Sequence, residues 1–121
     1  MSSPSWLWVL LTLCSLTVSA AQRDSTAVIK LETEFRAALT DSSRARSLLD
    51  SLEYLVRATP TPFGRGVLEL RRGSYRARWE TMASARLAYQ SALTAFTQAG
   101  NDDRLSQAYL DLAATYRGEK D

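Results

Sequence analysis

The chain has no histidine, and its only cysteine is Cys14. The usual zinc ligands are therefore missing, and so is the commonest general base. No disulfide can form within the chain, so stability must come from packing. Neither a glycine-rich phosphate loop nor a nucleophile elbow occurs among the 5 glycines, which removes two further routes to catalysis. The charge is almost balanced, with 15 basic and 13 acidic residues and a net charge of +2, too slight to imply a nucleic-acid partner. Carboxylates such as Glu32, Glu34, Glu53, Glu69 and Glu80 occupy helical surface positions with no evident pairing, and read as solvated face residues. The expectation is a protein that is not an enzyme and takes no cofactor or metal.

The one extended apolar run, Trp6 to Val18, is shorter than the about 20 residues a membrane-spanning helix needs. It ends in Val18-Ser19-Ala20-Ala21, small residues suited to signal peptidase cleavage. Residues 1–21 are therefore expected to be a signal peptide, and the product to be exported, periplasmic or secreted, with no stable membrane insertion after cleavage. The departure from the usual pattern is that no Lys or Arg precedes Trp6. An uncleaved anchor and a buried helix are the alternatives. Cys14 is a poor lipoprotein site because Leu13 before it is bulky.

The remainder reads as five helical segments. Val28, Leu31, Phe35 and Leu39 recur at helical spacing over about Thr26 to Leu39, with Asp24 or Ser25 as cap. Leu48, Leu49, Leu52, Leu55 and Val56 do so over about Arg44 to Ala58, with Ser42 or Ser43 as cap. The short break between them predicts an antiparallel hairpin, residues 22–58. Pro60 and Pro62 make a rigid corner. A third segment is expected over about Phe63 to Arg72 and a fourth over about Arg76 to Gln98, separated by a turn at Gly73; one long helix through Gly73 is the alternative. Trp79, Met82, Arg86, Tyr89, Leu93 and Phe96 form the stripe of the fourth, read as core. The fifth, about Asp103 to Arg117, carries Leu105, Ala108, Tyr109, Leu112 and Tyr116 on one face, is capped by Asn101-Asp102-Asp103 and ends at Gly118.

Ala85-x-x-x-Tyr89-x-x-Ala92-Leu93, the break Gly100-Asn101-Asp102-Asp103, and Tyr109-x-x-Leu112-Ala113-x-x-Tyr116 follow one another. This order resembles the junction between two tetratricopeptide repeats, A-x-x-x-F of a second helix running into W-x-x-L-G-x-x-Y of the next first helix. The likeness covers 63–116 and is to the exported bacterial type of such proteins. It departs from the pattern in Ala113, which stands where glycine is usual, in Arg78, and in the lack of a closing proline. The resemblance implies an all-α fold of antiparallel hairpins stacked as a short right-handed solenoid, with repeats over 63–121 and the last unit incomplete.

The same resemblance implies a non-catalytic interaction scaffold for a protein or peptide partner, or the sensor part of a larger array. Its groove is lined by first helices, so Gln107, Leu110, Ala114 and Arg117 are the expected partner-binding residues. Leu105, Leu112 and Tyr116 would lack a covering helix, which makes self-association through the last helix a second expectation. A competing reading rests on Arg65, Arg71, Arg72, Arg76, Arg78 and Arg86, a basic stripe suited to anionic lipid headgroups or acidic polymer.

Overall fold

The computed structural model describes residues 25–117, all helix and connecting turn with no strand. The helices are α1 over 25–37, α2 Ser42–Ala58, α3 Pro62–Trp79, α4 Met82–Ala99 and α5 Asp102–Arg117. The expected signal segment at 1–21 and the expected stop at Gly118 lie outside the described residues. No helix among the described residues is long and apolar enough to cross a membrane.

Each break is built from capping chemistry. Asp41 rather than Ser42 or Ser43 caps α2, accepting from the Arg44 amide at 3.1 Å. Thr61 caps α3 through the Gly64 amide at 3.0 Å, with Pro62 placed at the start of the helix, where its missing N–H costs nothing. Asn101 caps α5 through the Arg104 amide at 3.1 Å. Gly100, at φ 65°, is the only described residue with positive φ and closes α4.

The expected turn at Gly73 is not there. Gly73 lies inside α3, which continues to Trp79, and the chain reverses at Glu80-Thr81, where Thr81 caps α4 through the Ser84 amide at 3.1 Å. The glycine serves close packing instead. A Cβ on Gly73 would stand 2.5 Å from the Tyr89 ring, and one on Gly66 would stand 2.4 Å from the Phe96 ring. Both pairs are separated by two helical turns and run in opposite directions, so α3 and α4 are antiparallel with two aromatic knobs seated on bare backbone. Ala85, Ala88 and Ala92, all at most 1% exposed, fill the rest of the α4 side.

Around this pair the other helices alternate. Glu53 reaches Arg72 and Val56 faces Gly64, so α2 runs antiparallel to α3. Arg86 reaches Thr115, so α5 runs antiparallel to α4. Glu32 meets Arg71 and the Leu39 carbonyl accepts from Trp79 Nε1 at 2.9 Å, so α1 is parallel to α3. Arg104 lies over the Phe63 ring, and Arg71 and Asp111 line one pocket, so α5 is parallel to α3 as well. The odd-numbered helices thus run in one direction and the even-numbered helices in the other. Trp79, expected in the core, is 41% exposed at the end of α3. On α5 the buried residues are Ala108 and Thr115, with Leu105 and Leu112 beside them, while Tyr109 and Tyr116 are more than half exposed.

The glycine seam gives a test in which two effects oppose each other. Alanine is about 1 kcal/mol better than glycine inside a helix, whereas overpacking a filled core costs about 1–3 kcal/mol. Gly73→Ala is expected to lose stability in urea unfolding, and to lose less, or gain, when Tyr89→Leu shortens the opposing side chain. Equal effects in both backgrounds would show that the ring is not the obstacle.

Candidate binding pocket on the face of α1, α3 and α5

Three helices present polar stripes to the same side. Glu32 and Arg36 stand one turn apart on α1; Arg71, Ser74 and Arg78 follow i, i+3, i+7 on α3; Arg104, Gln107 and Asp111 follow the same spacing on α5. Glu32 binds the three stripes together. Its Oε2 accepts from Arg71 Nε at 2.9 Å and from Arg104 Nη1 at 2.6 Å, and its Oε1 accepts from Arg104 Nη2 at 2.8 Å. Glu32 is 4% exposed and Arg71 5%, so the expectation of a solvated Glu32 is wrong. Burial raises the Glu32 pKa, but hydrogen bonds and charge from Arg104 and Arg71 outweigh it and hold the carboxyl below its ordinary range.

Beside this network a pocket of about 430 Å³ opens, lined by Arg36, Arg71, Arg78, Gln107 and Asp111, with Leu39, Ser74, Ala77 and Tyr89 also on its walls. Arg71 Nη2 is buried and has no hydrogen-bond partner among the described residues. An unpaired buried donor costs about 1–3 kcal/mol, a penalty that packing elsewhere must offset. Asp111 is half-buried, and no hydrogen bond or ion pair from a described residue reaches it. Burial pushes its pKa up, only partly countered by the charges of Arg71 and Arg36. Burial likewise raises the Tyr89 phenol, with Ser74 acting the other way, so the ring edge is a neutral wall.

Of the expected partner-binding residues, Gln107 lines this pocket; Leu110, Ala114 and Arg117 are exposed on α5 outside its lining. Arg36 and Asp111 were not singled out in the sequence, although Asp111 shares the Arg104–Gln107 spacing that could have marked it. The six arginines of the basic stripe point several ways. Arg71 is buried on Glu32 and Arg72 pairs with Glu53 and Glu69. Arg76 approaches Glu80 and donates to the Ser84 carbonyl, while Arg86 donates to Thr115 and stacks 3.9 Å from the Tyr116 ring centroid. Arg65 and Arg78 are exposed, on different grooves: Arg78 in the pocket above, Arg65 in a groove of about 510 Å³ between α2 and α4, floored by Val56, Leu68 and Ala95. Glu53, Glu69 and Glu80, expected to be unpaired, all have arginine partners. Among the described residues no cluster of His, Cys, Asp or Glu is arranged to hold a metal ion.

Known proteins supply no further guide. No family model matches the chain, and no curated protein or solved structure matches it either.

Two carboxylates in one site should respond to substitution in opposite senses. Removing Glu32 strands the buried Arg71, and breaking a buried pair costs about 3–5 kcal/mol. Glu32→Gln is therefore expected to lower the melting temperature sharply at neutral pH. Because the folded-state pKa of Glu32 is depressed, its contribution is complete above the ordinary glutamate range and is lost as pH falls through the folded value. The variant and the parent should converge in acid. A Glu32→Gln melting curve equal to the parent's at pH 7 would contradict this.

The Asp111 carboxyl has the reverse sign. Its folded pKa is raised, so the stability it contributes is present in acid and lost as pH rises through that folded value. Asp111→Asn is expected to melt higher than the parent at neutral pH, with the gap closing below the ordinary aspartate range. A gap that is absent at neutral pH, or that widens in acid, would show that burial does not govern this carboxyl.

Proposed function

We propose that the chain is an exported, non-catalytic binding module of the tetratricopeptide-like type, a short right-handed solenoid that receives a protein or peptide partner on its α1/α3/α5 face. The observation that supports this reading is the alternation of helix direction. Parallel α1, α3 and α5 stand side by side, joined by Glu32, and α4 packs behind α3 and α5. First helices of stacked repeats form a groove by the same alternation. The face so formed holds polar groups without a hydrogen-bond or ion-pair partner among the described residues, Arg36, Gln107 and Asp111, and it continues along α5 to Leu110, which is 67% exposed.

The flank of α5 also fits the repeat reading. Tyr109 and Tyr116 are 57% and 52% exposed beside the half-buried Leu105 and Leu112, among the described residues an apolar strip without a covering helix. In a stacked array such a strip meets the next helix; here it offers a surface for self-association. The anionic-surface reading draws less support, because only Arg65 and Arg78 of its six arginines are exposed.

The test is a paired pull-down from the extracytoplasmic fraction, with the parent and a Leu110→Asp, Ala114→Asp variant. Both positions are exposed, so the variant is expected to fold and to lose a partner that the parent retains. Recovery of no specific partner, or equal recovery by both proteins, would sink the proposal.

A further inference from the structure

The pocket between α1, α3 and α5 holds two groups that the packing of the helices does not use. Arg71 is committed to Glu32 through Nε, yet its Nη2 is buried without a partner among the described residues, and Arg36 and Arg78 stand on the same walls. Asp111 is the opposite charge in the same space, half-buried and reached by no described hydrogen bond or ion pair. A ligand carrying only an anion would meet the guanidinium groups but face the Asp111 carboxylate. A ligand carrying only a cation would meet Asp111 but face three arginines. A molecule with both signs a few bonds apart satisfies both walls at once.

We infer that this pocket binds a small zwitterion, a free α-amino acid or a short peptide, with the carboxylate received by the exposed Arg36 and Arg78 above the buried charge of Arg71 and the ammonium by Asp111. The guanidinium fork suits a planar carboxylate, and the buried Arg71, held in place by Glu32, adds fixed positive charge beneath it. Three arginines against one aspartate leave the walls net positive, which favours the carboxylate end as the anchor. The depression, about 430 Å³ and open to solvent, is shallow enough for either a single amino acid or the end of a short peptide to lie across it. Burial raises the Asp111 pKa, and an ammonium partner would relieve that cost. A charged group kept at the expense of stability is characteristic of a working site. This inference rests on the same face as the partner proposal and names the chemistry its pocket recognises; the titration needs no macromolecule, so it can fail where the pull-down succeeds.

The experiment is a titration of the full chain, read by nuclear magnetic resonance shifts, with L-alanine, L-alanyl-L-alanine, N-acetyl-L-alanine, L-alaninamide and inorganic phosphate. Saturable shifts at Gln107 and its neighbours are expected with alanine or dialanine. N-acetylalanine, alaninamide and phosphate are expected to bind roughly tenfold more weakly or worse. If dialanine is the tighter of the two zwitterions the ligand is a short peptide; if alanine is, a free amino acid. Asp111→Asn is expected to erase the preference for alanine over N-acetylalanine, while Arg36→Gln weakens both and leaves the preference intact. Neither substitution touches the Glu32 network, so a folding failure will not mask the result. No saturable binding of either zwitterion, or binding of phosphate or N-acetylalanine as tight as that of alanine, would overturn the inference.

Discussion

Two aromatic rings lying on bare backbone determine how closely α3 and α4 approach, and the remaining helices take their places from that pair. Tyr89 sits on Gly73 and Phe96 on Gly66, with no room for a Cβ at either glycine. Each glycine weakens its helix by about 1 kcal/mol relative to alanine. That loss is set against the burial of large rings, Phe96 being 0% exposed and Tyr89 4%, at about 25 cal/mol per Å² of apolar surface. Ring burial outweighs the glycine penalty. Because α4 sits so close, α5 can pack against it through Ala108 and still keep its polar stripe beside α3.

The second constraint is polar. Glu32 gathers α1, α3 and α5 through a buried carboxylate and two guanidinium groups, an arrangement whose desolvation is costly and whose net stabilisation over an apolar equivalent is small. What it supplies is register. A guanidinium fork fixes direction and distance more tightly than apolar side chains do, so the three polar stripes meet at one height. The pocket beside it depends on that alignment.

Much of the architecture was legible in the sequence. The number of helices, the breaks at Asp41, at the Thr59–Pro62 corner and at Gly100, and the core placement of Tyr89 and Phe96 all follow from capping residues and helical spacing. Gly73 was not legible, because a glycine that turns the chain and one that admits a ring have the same local sequence; only Tyr89, on another helix, distinguishes them. On α5, side-chain size is a misleading guide to burial. The large Tyr109 and Tyr116 have core spacing yet stand exposed, while the small Ala108 and Thr115 lie where α4 comes close. Glu32 has the local pattern of a solvated residue because its partners are 39 and 72 residues away. Of the candidate pocket, Gln107 was found through the repeat resemblance, whereas Arg36 and Asp111 gain meaning only when three helices are placed side by side.

Those same sequence separations set an order in time. The α3–α4 hairpin closes a loop of two residues, Glu80 and Thr81, and its contacts are local. The Glu32 network needs loops far longer, whose closure entropy is met before any contact rewards it. The hairpin is therefore the natural nucleus, and α1 docks late. Contacts made after the folding barrier govern the rate of unfolding more than the rate of folding, so Glu32 acts as a latch. Contacts of this kind are expected to slow unfolding more than they speed folding.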